Sequence, residues 1–141
     1  MVSLATPRHT IDAIYSRRYN VLVWDVEVTD EFRDWYEALD GETQAPIMVA
    51  VERLQEHGPA LGRPLVGELV TSKIHNLKEL RPPATSIRVI FLFDPRRAAI
   101  LLVAGDKAEH GWNAWYAKAI PVAERLYAEH LEGLRKEGLL E

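Results

Sequence analysis

The sequence predicts an α+β domain in the order β-α-α-β-β-β-α, with a mostly antiparallel four-stranded sheet covered by helices on one face. Three observations predict it. Two amphipathic helical patterns stand between a first strand pattern and three later ones. Asp94-Pro95-Arg96-Arg97, set between two strongly apolar runs, carries the chemistry of a hairpin turn. From Trp112 onward, apolar residues recur at helical spacing over several turns.

Residues 1–20 show no clear period and are expected to form an N-terminal extension, free to be partly disordered, ahead of a single domain over 21–141. Val21 to Val28 reads as a strand, with Asp25 and Glu27 alternating against Trp24, Val26 and Val28. Thr29 offers an N-cap, and Asp30 and Glu31 place carboxylates in the first turn, where they complement the helix dipole. Phe32, Trp35, Tyr36 and Leu39 carry that helix to Asp40-Gly41. A second helix should run from about Thr43 to Glu56, with Ile47, Met48, Val51 and Leu54 on one face, until His57-Gly58-Pro59 stops it. Strand character resumes weakly over Leu65 to Ser72 and more strongly over Asn76 to Arg81, Ile87 to Phe93 and Ala98 to Ala104. In the last helix Pro121 should introduce a kink or begin a second part.

Composition narrows the function. A chain of 141 residues with 48% hydrophobic residues can fill one sizeable core, and without cysteine it has neither disulfides nor thiolate metal sites. The N-terminus lacks an export-type apolar region, and the longest apolar run, Ala98 to Ala104, is far short of a membrane span. A cytoplasmic protein is expected. The net charge of -4 speaks against nucleic-acid binding, but it is unevenly spread: Ala60 to Lys107 is +4 and the remainder -8. A basic centre of this kind is either a local anion site or ordinary surface variation. No P-loop, dinucleotide fingerprint, zinc spacing or nucleophile elbow is present.

The run Asn76-Leu-Lys-Glu-Leu-Arg81, then Ile87-Arg-Val-Ile-Phe-Leu-Phe-Asp94, then Ala99-Ile-Leu-Leu-Val-Ala-Gly-Asp-Lys107 resembles the central segment of HigB-like and phage Gp49-like toxins of the RelE/ParE superfamily. There a Leu-x-Glu-Leu-Arg strand precedes an Arg-Val-x-Phe strand and a hydrophobic strand ending near Lys. The resemblance extends over about Val21 to Leu134. It implies a RelE-like fold and a ribosome-dependent endoribonuclease that cuts messenger RNA and is silenced by a helix-turn-helix antitoxin. It implies no cofactor and no metal, because a ribose 2′-hydroxyl attacks the adjacent phosphate and cationic side chains stabilise the charge that develops.

Arg88 is the first candidate for that role. It interrupts an apolar strand, so its guanidinium must face an open surface or meet a partner such as Glu79 or Asp94. Arg81 is preferred to Lys78, since in a regular strand the two point to opposite faces. Lys107 can reach a phosphate held over the sheet, although Ala108 follows it where compact RelE-type nucleases often carry a second basic residue. His75 and His110 are candidates for general acid or base, or else exposed loop histidines. His75 completes the candidate catalytic set with Arg88, Arg81 and Lys107. Lys73, Lys78, Arg96 and Arg97 are candidate RNA contacts, with Arg96-Arg97 either touching ribosomal RNA or keeping a tight hairpin soluble. Trp112, Trp115 and Tyr116 could stack on a base, but at helical spacing they also fit a core. The cationic site is expected on the sheet face opposite the helices. Two further readings stand beside the nuclease: a ParE-type inhibitor of a protein target such as DNA gyrase, and a degenerate antitoxin-binding module.

Overall fold

In the computed structural model of the protein, residues 9–10, 23–109 and 111–140 are described. The strands are β1 (His9–Thr10), β2 (Val26–Val28), β3 (Val66–Glu68), β4 (Lys78–Leu80), β5 (Ile87–Phe93) and β6 (Ala99–Asp106). The helices are α1 (Asp30–Glu37), α2 (Gly41–His57) and α3 (Trp112–Lys136).

Local chemistry sets most boundaries where the sequence places them. Thr29 caps α1: its side chain accepts from the Phe32 N–H at 3.0 Å, and its hydroxyl donates to the Leu102 carbonyl at 2.6 Å, tying the helix start to the sheet. Asp40 caps α2 by accepting from the Thr43 N–H at 2.8 Å, so this helix begins two residues before the expected Thr43. The β5–β6 turn closes through Arg97 N–H to Asp94 C=O at 2.7 Å, and Arg97 takes a positive φ of 68°. That is a type I turn followed by a left-handed residue, a connection suited to the twist of two antiparallel strands. Despite Pro121, α3 is one helix of 25 residues.

The sheet runs β1-β2-β6-β5-β4-β3. β2 lies parallel to β6, with Val26 opposite Ala99 and Val28 opposite Leu101, and the other pairs are antiparallel. The expected four-stranded, largely antiparallel sheet is corrected accordingly. Five strands of three or more residues form a mixed sheet, and His9–Thr10 adds a two-residue pairing to its edge. These two residues fall within the expected extension; the rest of 1–20 lies outside the described residues. β2 is also shorter than expected, because the Trp24 N–H donates to the Gln55 carbonyl at the end of α2 (2.8 Å) instead of joining the sheet.

Helices cover both faces of the sheet, which corrects the expectation of one. Val89, Phe91 and Leu101 pack with Phe32 of α1 and Ile47, Val51 and Leu54 of α2. Ile90, Leu92, Ile100 and Leu102 pack with Trp115, Ala119, Ala123 and Leu126 of α3. The physical reason lies in β5 and β6 themselves. Their apolar residues run without alternation, as strands buried on both sides require. A register shift after Ile90 matches Phe91 to Leu101, leaving Leu102 as an extra residue that faces α3 beside Val103.

Candidate functional site

In β4, alternation sends Leu77 and Glu79 toward α3 and Leu80 toward α1 and α2. Arg81 continues on the α3 side. Its guanidinium lies over Gly67 of β3, where an added Cβ would stand 2.2 Å from Nη2. On β5, Arg88 sits opposite Gly105 of β6, and the missing side chain there admits the Trp115 indole, whose Nε1 would be 2.4 Å from an added Cβ. Gly67 therefore makes room for a side chain of the site, and Gly105 for the core tryptophan beside it.

Glu79 is its centre, 3% exposed. One carboxylate oxygen accepts from the Tyr116 hydroxyl at 2.6 Å, and the other from Arg81 Nε at 3.0 Å, with Arg81 Nη2 at 2.9 Å. Arg88 Nε stands 4.0 Å from Glu79, within ion-pair range but too far for a hydrogen bond, and is a buried N–H that makes no hydrogen bond. The guanidinium is held from its other end, where Nη1 donates to the carbonyls of Ile87 (2.7 Å) and Thr85 (3.3 Å). A buried, unspent donor costs about 1–3 kcal/mol unless a ligand accepts from it.

Lys107, at the end of β6, is 5% exposed, and its Nζ lies 3.5 Å from the centroid of the Trp112 ring. Burial lowers its pKa, and the charges of Arg88 and Arg81 add to that while Glu79 opposes. The Tyr116 phenol is pushed up to about 12 by burial first, then by its hydrogen bond to Glu79 and that group's charge, while the charge of Arg88 and its side-chain hydrogen bond oppose. It is thus a neutral donor at physiological pH and no base.

The structure thus brings Arg81, Arg88 and Lys107 together, and leaves the other candidates elsewhere. The cluster lies on the face that α3 covers, opposite α1 and α2, so the expectation of a cationic site on the face opposite the helices is corrected. His75 is exposed in the β3–β4 loop, at the end of β4 remote from Arg81. Lys78 pairs with Phe91 and shares its face toward α1 and α2. Lys73 lines a groove of about 390 Å³ with Tyr116, Ile120 and Glu124, its N–H donating to Glu124 at 2.8 Å. Arg96 and Arg97 lie at the far end of β5, about 17 Å away at ~3.4 Å per residue. There Arg96 pairs with Asp94 (2.7 Å) and Glu27 (2.9 Å), and Arg97 stacks on Trp24. His110 lies outside the described residues.

Sequence reasoning missed two parts of the cluster. Glu79 entered only as a possible partner for Arg88, although its strand position beside Leu77 marks it as a buried acid. Tyr116 was a candidate for core or stacking, and no local signal assigns a tyrosine to a carboxylate 37 residues away.

The family described as phage derived protein Gp49-like matches residues 34–128, a span that contains the whole cluster. The Mycobacterium tuberculosis protein named "Putative toxin HigB3" is 48% identical over 91 residues, covering 64% of this chain and 79% of that protein. "Putative toxin HigB2" of the same organism is 43% identical over 111 residues, which cover 77% of this chain and about half, 54%, of that relative. With the family matched over more than half of its length, and these relatives beside it, the chain belongs to the Gp49-like family, in its HigB-like toxin branch.

Proposed function

We propose that the chain is the toxin of a type II toxin–antitoxin pair and acts in the cytoplasm as a metal-independent, ribosome-dependent endoribonuclease. What carries this reading is the pairing of Arg81 and Arg88 with one buried carboxylate, with Lys107 held under Trp112 close enough to feel their charges and the Arg88 Nε–H making no hydrogen bond. In the proposed reaction a ribose 2′-oxygen forms a bond to phosphorus, the P–O5′ bond breaks, and the products are a 2′,3′-cyclic phosphate and a 5′-hydroxyl. Negative charge grows on the non-bridging oxygens along the way. In this reading Arg88 and Arg81 receive it, and the hydrogen bond of Arg81 to Glu79 supports the role by limiting reorganisation. Lys107, whose proton the site holds less firmly than solvent would, exchanges protons with the attacking and leaving oxygens. His75 has no part in this reading because of its distance. Lys73 extends the cationic track along the groove beside Tyr116, whereas Lys78, Arg96 and Arg97 would meet the ribosome away from the scissile phosphate. The partners are the ribosome with its messenger RNA, and a helix-turn-helix antitoxin as the silencing protein.

Induced expression of wild type beside Arg88→Ala, with growth followed and messenger RNA 5′ ends mapped on ribosomes, tests this. Growth arrest with new cleavage sites is expected for the wild type, and a fall in cleavage of about 10²–10³-fold for the variant, as for loss of one well-placed donor. Arrest without cleavage would sink the nuclease reading in favour of inhibition of a protein target such as DNA gyrase. No arrest at adequate protein level would leave a degenerate antitoxin-binding module.

A further inference from the structure

The three aromatic residues that open α3 have separate fates. Trp115 is core, packed against Gly105. Tyr116 is spent on Glu79. Trp112 is neither: it is 62% exposed, the only exposed Phe, Tyr or Trp among the described residues. Nothing in the packing of the sheet requires it there. One face of its indole covers the Lys107 ammonium, and the remainder of the ring stands in solvent at the mouth of the cationic cluster.

An open aromatic face beside phosphate-binding cations is the arrangement that takes single-stranded nucleic acid, because a splayed base stacks on the ring while its phosphate meets the cations. A base-paired duplex presents no free base face to such a ring. Resting on the nuclease reading above, we infer that Trp112 is the nucleobase platform of the site. One unpaired base of the RNA stacks on its outer face, and Lys107, held beneath the ring, meets the phosphate next to that base. Trp112 is then a substrate-binding residue, and it selects for unpaired RNA at the point of cleavage.

The full chain is titrated with two probes: a single-stranded 2′-O-methyl oligonucleotide, which lacks the attacking hydroxyl, and an abasic sugar–phosphate oligomer of the same length. The wild type should prefer the base-bearing probe by roughly tenfold to a hundredfold, the range of a base–aromatic stack. Trp112→Ala should lose that preference and bind both probes as the wild type binds the abasic one, with an unchanged melting temperature. Trp112→Phe should recover most of it. Arg88→Ala should weaken both probes alike. A Trp112→Ala protein that keeps the preference overturns the inference, as does a wild type that shows none or binds neither probe. The nuclease reading is judged separately by the Arg88→Ala 5′-end maps, which do not depend on stacking, so the two failures are distinguishable.

Discussion

A carboxylate that leaves water as fully as Glu79 does must be repaid by charge and hydrogen bonds, and here Arg81 and Tyr116 supply them. The repayment depends on a residue without a side chain. Arg81 reaches Glu79 only by crossing Gly67, and a methyl group there would occupy the place of Nη2. Because the obstructing atoms belong to the end of a flexible side chain, Gly67→Ala should move the guanidinium while leaving the strand intact. On the proposed nuclease reading, the expected outcome is a protein that melts close to the wild type but cleaves messenger RNA at least tenfold more slowly, measured by 5′-end mapping at matched expression. Wild-type cleavage by Gly67→Ala would remove Arg81 from the working site. Neither dependence was legible in the sequence: Glu79 and Arg81 were visible in Leu77-Lys-Glu-Leu-Arg81, but the residue beneath Arg81 lies on another strand.

The β5–β6 hairpin and α3 are locked together by one acid. Asp94 accepts from the N–H groups of Arg96 (2.9 Å) and Ala98 (3.1 Å) within the turn, contacts His130 of α3 at 2.9 Å, and pairs with Arg96. Burial raises its pKa, but the hydrogen bonds from His130, Arg96 and Ala98, with the charge of Arg96, outweigh that and hold the carboxyl below its ordinary range. The folded state therefore favours the carboxylate. Its stabilisation is fully present above the unfolded-state value of about 3.9, and is lost as pH falls from there through the lower folded-state pKa. Asp94→Asn should cost about 3 kcal/mol near pH 7, as removal of a buried, paired charge does. It should also flatten the loss of stability below about pH 4. Denaturant titrations at pH 3, 4 and 7 measure both. An unchanged acid limb in Asp94→Asn would place the titrating group elsewhere. The turn itself was readable from Asp94-Pro95, whereas its bond to His130, 36 residues away, was not.

At the scale of the whole molecule, two cores divided by one sheet separate stability from the site. Phe91, fully buried toward α1 and α2, lies on the face away from Arg81, Arg88 and Lys107, so Phe91→Ala should cost about 3–5 kcal/mol while the protein that remains folded keeps the proposed cleavage activity. Ala123 is equally buried but packs α3 against the sheet. Ala123→Leu should cost about 1–3 kcal/mol by overpacking, and should also lower activity because α3 carries Tyr116 and Trp112. Melting curves read beside cleavage per folded molecule would show this split, and equal activity losses in both variants would refute it. The sequence by itself determined the cap at Thr29, the hairpin turn, the apolar strands, and the arginines and lysine that carry the positive charge. Each of these is local chemistry, decided by neighbours a few residues away. The tertiary structure alone decided that β2 runs parallel to β6, that helices cover both faces, and that Arg81, Arg88 and Lys107 gather at Glu79 while His75 stands apart. Those outcomes depend on which distant segments meet, and a one-dimensional pattern records what a residue prefers to bury but not the partner it is buried against.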